Sequence, residues 1–250
     1  MTMSDQFENP AIFMTATDTG VGKTTITAAL VLALKNKEHQ VGAMKPVETG
    51  IDPQLPEASD AGRLQSLLSP PPPFALMCLY AFPQPLAPLA CAREAGTNID
   101  VARIVTVFHA VRQQHTMLFV EGAGGVFTPL SPTQTIRDLI VALNLPALVV
   151  ARTTLGSVNH ALLTLEALRC VGIKPCGIIL NEPMPTTQTN NSLQQRNSTI
   201  ALIQEWSAVP VFGPLEFQET VRTHWRTGVE NLAKHPEIQR LTRHLMKTEP

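Results

Sequence analysis

Three observations predict an α/β fold, a mostly parallel, doubly wound sheet flanked by helices. Short apolar or β-branched runs alternate with longer helical patterns along the chain, as they do when parallel strands are covered by helices on both faces. The first run, AIFMT at 11–15, leads through a glycine-bearing turn into a long amphipathic segment, so the chain opens with a strand–loop–helix unit. At 250 residues, 44% of them hydrophobic, the chain is long enough to bury a substantial core.

The elements follow in order. The strand at 11–15 feeds a helix over 22–36, and the next strand, VGAMK at 41–45, stops at Lys45 because Pro46 cannot continue it and fixes the exit direction. A helix over 59–68 begins at SDAG, with Asp60 as its N-cap or first-turn residue. The apolar run ALMCLYAF predicts a strand over 75–82. Prolines crowd the region from Pro46 to Pro88, Pro70 through Pro73 among them. An interdomain linker is rejected there, because one strand and one helix could not bury a core ahead of it. The segment reads instead as a long structured excursion near the ligand edge of the sheet. Beyond it come a helix over 100–115, the strand MLFVE at 117–121, a helix over 134–143 and the strand PALVVA at 146–151. A helix over 157–171 leads to CGIIL at 176–180, a strand ended by Asn181; a helix over 190–206 precedes the strand VPVFG at 209–213. A last helix over 229–247 packs on the sheet. The whole, 1–250, reads as a single α/β domain with residues 1–10 as a flexible N-terminus.

Composition narrows the function classes. Lys and Arg number 19 against 20 Asp and Glu, and a formal net charge of −1 offers no field for a polyanion, which argues against nucleic-acid and membrane partners. The four cysteines form no CxxC pair and the seven histidines no HxH or HExxH spacing, so neither zinc nor a redox dithiol is suggested, and reduced core thiols are expected. The N-terminus lacks a basic-then-apolar signal and no apolar run approaches a bilayer-spanning length, so the expected location is the cytoplasm.

The turn after the first strand, ATDTGVGKTT over 16–25, carries the strongest chemical signal. A phosphate-holding loop needs glycines so that backbone N–H groups can converge, a lysine for the outer phosphates and a Ser or Thr hydroxyl for magnesium. Gly22, Lys23 and Thr24 supply those parts, and the helix N-terminus adds free N–H groups. Thr17 stands where the usual motif has its first glycine, so the loop is a variant. A chance Gly-Lys-Thr on a surface turn is the bland alternative, disfavoured by the strand–loop–helix setting.

The series TDTGVGKT, KPVETG, SDA, VEGAGG, GSVNHALLT and a strand ending in Asn181 resembles, in order, the motifs of the dethiobiotin synthetase family, from about residue 12 to about residue 220. The resemblance implies a P-loop NTPase-like fold and a homodimeric, ATP- and Mg2+-dependent ligase. Such an enzyme converts 7,8-diaminopelargonic acid and carbon dioxide to dethiobiotin, the penultimate step of biotin synthesis. It implies phosphate contacts from Gly20, Val21, Gly22, Lys23, Thr24 and Thr25, and magnesium ligands Thr24, Asp60 and Glu121. Lys23 and Lys45 become the catalytic cations, because carbamate formation, its phosphorylation and ring closure all develop negative charge on oxygen. Thr19 and Thr49 are expected to hydrogen-bond the carbamate or diamine. Gly122, Ala123, Gly124 and Gly125 can present successive N–H groups to an anion, with a plain turn as the competing view. Leu155, Gly156 and Asn159 are assigned to the substrate's distal carboxylate in the neighbouring subunit's site, and Asn181 with Glu182 to the adenine end. For Lys45 a solvated strand end, for Glu121 a charged strand terminus and for Asp60 a helix cap stay open as purely structural roles.

A rival from another class is the ParA/MinD-type ATPase switch, which shares this fold and acts on DNA or membrane. Those proteins carry a further lysine five residues before the one matching Lys23, and here that position is Asp18. The basic, amphipathic IQRLTRHLMK near the C-terminus raises membrane attachment, which a last helix packed on the sheet explains more simply. Cobyrinate-type amidoligases would need an added glutaminase domain, for which the chain is too short.

Overall fold

The computed structural model of the protein describes residues 10–185 and 189–247; most of the expected flexible N-terminus lies outside that range. Six parallel strands form the main sheet. These are β1 (Ala11–Ala16), β2 (Val41–Met44), β5 (Met117–Glu121), β6 (Ala147–Ala151), β7 (Pro175–Asn181) and β8 (Val211–Leu215), in the order β2-β5-β1-β6-β7-β8. Two short strands, β3 (Val47–Thr49) and β4 (Tyr80–Phe82), pair only with each other. The helices are α1 (Lys23–Lys35), α2 (Asp60–Gln65), α3 (Phe74–Met77), α4 (Pro88–Glu94), α5 (Val101–Arg112), α6 (Ile136–Leu143), α7 (Ser157–Arg169), α8 (Asn190–Trp206), α9 (Glu219–Thr223), α10 (Trp225–Ala233) and α11 (Pro236–Leu245).

The strands read as continuous apolar runs because both faces of the sheet are buried. Along β1, Phe13 points into a core shared with α5, α6 and α7, where it joins Phe108, Ile140 and Leu165. Its neighbours Ile12 and Met14 point into the opposite core, with Ile26, Leu30, Val229 and Leu241 from α1, α10 and α11. Each fully buried side chain of this size contributes about 1.5–3 kcal/mol relative to exposure, so the two layers together fix where the strand ends lie. After β1 the chain crosses to β2 on one side, and after β5 it crosses to β6 on the other. The carboxyl ends of β1 and β5 therefore flank a topological switch point, the place where open α/β sheets take ligands.

Two expectations need correction. The run 75–82 is not a strand of the main sheet: Phe74–Met77 make one helical turn, closed by Cys78 N–H donating to the Phe74 carbonyl at 2.8 Å, and only Tyr80–Phe82 are extended. A continuous apolar run lacks the period that separates strand from helix, and Pro73 at the N-cap sets up the turn. The expected helix 229–247 is two helices, because Pro236 has no N–H to continue α10 and instead starts α11 behind His235. Three short helices, α3, α4 and α9, were not anticipated.

The proline-rich excursion is structured throughout. Lys45 N–H, just past β2, donates to the Met77 carbonyl at 2.8 Å, and Gly50 N–H to that of Gln84 at 2.9 Å, so the excursion is tied to the end of β2 at Met77 and closed on itself beyond β3 and β4.

Candidate functional site

The loop between β1 and α1 is held open from outside. Gly20 and Gly22 take left-handed φ values of 69° and 97°, which an L side chain rarely adopts. Asn181, at the end of β7, donates its side-chain amide to the Val21 carbonyl at 2.9 Å, while the Val21 side chain is fully buried in the core. Arg152, just past β6, donates to the Thr19 carbonyl at 3.1 Å. Thr19 N–H is taken by Asp18 Oδ1 at 2.7 Å. In contrast, the main-chain N–H groups of Gly20 through Thr25 have no partner among the described residues, and α1 has no side-chain N-cap. Six free amides and the positive end of a helix macrodipole make a cradle for a phosphate chain. Lys23 Nζ folds over the loop to the Asp18 carbonyl at 3.4 Å. Burial, then the neighbouring Lys45 charge, lowers the Lys23 ammonium to about 8 against the pull of Glu121 and Asp60.

A compact charge cluster adjoins the cradle. Glu121, at the last position of β5, is fully buried; its Oε1 accepts from Thr24 Oγ1 at 2.6 Å and from Lys45 Nζ at 2.6 Å. Lys45 Nζ also donates to Asp60 Oδ2 at 2.8 Å. Burial works against the Lys45 charge, but the carboxylates of Glu121 and Asp60 outweigh it and hold the ammonium above the ordinary lysine range. Burial likewise opposes ionisation of Asp60, and the Lys45 charge reverses that and keeps the carboxyl below its usual value. Asp60 is the first residue of α2, and the N-cap is Ser59, whose Oγ accepts from Gly62 N–H. Strand ends β2 and β5, the first turn of α1 and the start of α2 thus converge on one point.

A cavity of about 630 Å³ opens over the cradle and cluster. Thr19, Thr49, Asp60, Ala123 and Gly124 line it together with the loop, so most of the sequence-expected residues share one wall. Two departures stand out. Gly122 N–H donates to the Met14 carbonyl at 3.0 Å and Gly125 N–H to Thr128 Oγ1 at 3.0 Å, so the run of four anion-binding amides is reduced to Ala123 and Gly124. Gly122 is needed for packing instead, since a Cβ there would lie 2.8 Å from the Phe13 ring. Leu155, Gly156 and Asn159 are exposed and line neither this cavity nor the recess beside it. That recess, about 310 Å³, is lined by Asn181, Glu182, Glu216, Phe217 and Gln218, among others. Glu182 Oε1 is already engaged by Thr153 Oγ1 at 2.6 Å and Arg196 at 2.7 Å, and one amide proton of Asn181 is committed to Val21.

The sequence reading missed four residues, Glu48, Arg63, Arg152 and Trp225. Glu48 is buried and bonds the start of α2; burial raises its carboxyl above the ordinary range against the Lys45 charge. Arg63 lines both the cavity and the recess and stacks over the Trp225 ring at 4.8 Å, and Arg152 ties down the loop. An acid between Lys45 and Thr49, Glu48 in KPVETG, was the one local signal; the rest depend on tertiary contacts.

The oxygen donors suit a hard cation. No group of three or more His, Cys, Asp or Glu among the described residues could enclose a metal. Magnesium, however, needs few protein ligands, because it keeps waters and takes phosphate oxygens. Glu121 Oε2 is buried without a hydrogen-bond partner beside the Thr24 hydroxyl and Asp60, and such an orphaned acceptor costs roughly 1–3 kcal/mol unless something binds it. Thr24, Asp60 and Glu121 fit as a partial ligand set.

A family model described as an AAA domain matches residues 10–224. The chain is 45% identical over 174 residues, 70% of its length and 77% of the relative's, to the ATP-dependent dethiobiotin synthetase BioD of Anaeromyxobacter sp. (strain K). It is 36% identical over 225 residues to the protein of that name in Xanthomonas axonopodis pv. citri (strain 306), covering 89% of this chain and 94% of that one. Among solved structures it resembles the MinC:MinD cell division protein complex of Aquifex aeolicus, with a TM-score of 0.62, 15% identity and coverage of 96% and 97%. A ParA family ATPase from Chlorobium tepidum TLS aligns with a TM-score of 0.54 at 16% identity, over 96% and 99%. At such identities the structural likeness shows the fold alone, whereas relatives at 36% and 45% identity over most of both chains show more: the chain belongs to the family of ATP-dependent dethiobiotin synthetases.

Proposed function

We propose that this chain, as one ligase domain, uses ATP and Mg2+ to carboxylate 7,8-diaminopelargonic acid with carbon dioxide and close the ureido ring of dethiobiotin, releasing ADP and phosphate. The observation that carries the proposal is the Thr24–Glu121–Lys45–Asp60 cluster set directly beside a run of unpartnered main-chain amides. In this reading one substrate amine adds to carbon dioxide to give a carbamate. ATP phosphorylates a carbamate oxygen to a carbamic-phosphoric anhydride. The second amine then attacks that carbon and phosphate leaves.

The chain's residues supply orientation and fixed charge. The amides from Gly20 to Thr25 grip the phosphates, and Thr24, Asp60 and Glu121 hold magnesium, which when bound neutralises phosphate charge. Lys23 and Lys45 face the oxygens on which charge develops, and being fixed before reaction they need no reorganisation. Thr19, Thr49 and Gly124 contact the carbamate and diamine, with Ala123 at the phosphates. Asn181 and Glu182 border the purine in the adjoining recess, where Glu216, Phe217 and Gln218, just past the last strand, supply further wall. The decisive assay is bicarbonate-dependent ADP release on adding the diamine. Release dependent on DNA or lipid vesicles, and indifferent to the diamine, would replace this reading with the switch.

The sites are completed across a homodimer. Supporting this, Leu155 is 88% exposed at the start of α7, and Phe127 and Leu163 are more than half exposed on the same molecule. Gly156 has open space where a Cβ would stand, so a substrate carboxylate can approach the α7 N-terminus closely. Mixing Asn159→Ala protomers with Lys23→Ala protomers is expected to recover part of the activity that each lacks alone. Absence of any recovery would refute the composite site. Four free cysteines, with no disulfide, suit the cytoplasm as its location, and no helix among the described residues is long and apolar enough to cross a membrane.

A further inference from the structure

An acid in the wall of a lysine-centred cluster is expected to face the lysine, and Glu48 does not. Both its oxygens are turned to the main chain of α2: Oε1 accepts from Asp60 N–H at 2.7 Å and Oε2 from Ala61 N–H at 2.9 Å. Ser59 Oγ takes the next amide, that of Gly62, at 3.0 Å. The first three N–H groups of the helix, which have no intrahelical partner, are therefore all satisfied by other residues. An aspartate at a helix start ordinarily competes for such amides with its own side chain. Here they are occupied, and the Asp60 carboxylate is left to extend to Lys45 Nζ. Glu48 can do this because it sits in β3, buried, facing α2 across the excursion. The helix itself cannot retreat from it: a Cβ on Gly62 would stand 2.2 Å from the Pro56 carbonyl oxygen, so that turn is packed against the preceding segment without slack.

We propose that Glu48 is a positioning residue for the metal: by capping α2 from a neighbouring strand it keeps the Asp60 carboxylate turned outward, and so sets divalent-cation affinity without touching the cation. The inference rests on the reading of Asp60 as a metal ligand. It makes Glu48 distinct from Lys45, which meets the same acid head-on as a counter-charge.

The test measures Mn2+ affinity by electron paramagnetic resonance, on the full chain with ADP bound, in the parent protein and in Glu48→Gln, Glu48→Ala and Asp60→Asn. Losing an outer-shell partner of a metal ligand typically lowers affinity about ten- to hundredfold, and that fall is expected in both Glu48 variants. Asp60→Asn should fall at least as far. Metal-free ADP affinity and the KM for the diamine should stay at parent values in Glu48→Gln, which a general loosening of the fold would not permit. Should Glu48→Ala fail to fold, Glu48→Gln decides, since it keeps the shape and one acceptor. Parent-like Mn2+ affinity in the Glu48 variants alongside a loss in Asp60→Asn overturns the positioning role alone. Parent-like affinity in Asp60→Asn overturns the metal reading and this inference with it.

Discussion

Lys45→Ala is expected to lower bicarbonate- and diamine-dependent ADP release by at least about a hundredfold, the scale for removing one preorganised partner of developing charge. The same change has a second, separable effect. Lys45 is almost fully buried, and it is the cation that Glu121 and Asp60 share at 2.6 and 2.8 Å. Without it, the fully buried Glu121 keeps only the Thr24 hydroxyl as a partner. Removing one member of a buried ion pair costs about 3–5 kcal/mol, so the metal-free variant should melt well below the parent protein. Added Mg2+ should then raise the melting temperature more in the variant than in the parent, because a divalent cation restores positive charge between the two acids. Turnover therefore has to be compared on folded protein in saturating Mg2+, where a hundredfold deficit reports chemistry and not unfolding. Near-parental turnover under those conditions would remove Lys45 from the reaction, whatever its effect on stability.

The residues legible in the sequence are those whose role is decided locally. Lys23 and Thr24 follow a strand and open a helix, and that setting alone leaves a run of unpartnered main-chain amides at the helix start. Glu121 and Lys45 close strands that are buried on both faces, and a charge at such a position lies at the ligand edge of the sheet wherever the neighbouring strands fall. What escaped is set by contacts between segments far apart in the chain. Glu48 meets α2 only because the excursion folds back on itself, and Arg152, just past β6, and Asn181, expected only at the adenine end, brace the loop from more than a hundred residues away. The Gly122 amide looked available until the register of β1 against β5 placed the Met14 carbonyl beside it. In 75–82 the apolar run carried no period to read, and the proline ahead of it decided for a helical turn.

Gly22→Ala is expected to cost both stability and nucleotide affinity, and the reason joins local geometry to long-range packing. At φ 97° a Cβ is strained by its own backbone, and residues held in such conformations cost about 1–3 kcal/mol each. That Cβ would also stand 2.3 Å from Asn181 Nδ2, an atom engaged with the Val21 carbonyl in a buried setting. Either the loop abandons the conformation in which its amides converge, or Asn181 is pushed off its partner and about 1 kcal/mol of hydrogen bonding is lost with it. At about 1.4 kcal/mol per tenfold, ATP affinity measured by calorimetry should fall roughly ten- to hundredfold. Two comparisons isolate the cause. In Gly22→Ala with Asn181→Ala the clash is gone while the strained φ remains, so stability should recover in part and affinity less so. Gly20→Ala shares the left-handed backbone, at 69°, but its Cβ meets nothing nearer than Arg152 Nη2 at 3.6 Å, and it should bind ATP better than Gly22→Ala. If the two glycine variants bind alike, strain alone governs the loop and the brace from Asn181 does not shape it; if both bind as the parent does, the amides of Gly20 to Thr25 are not what holds the phosphates.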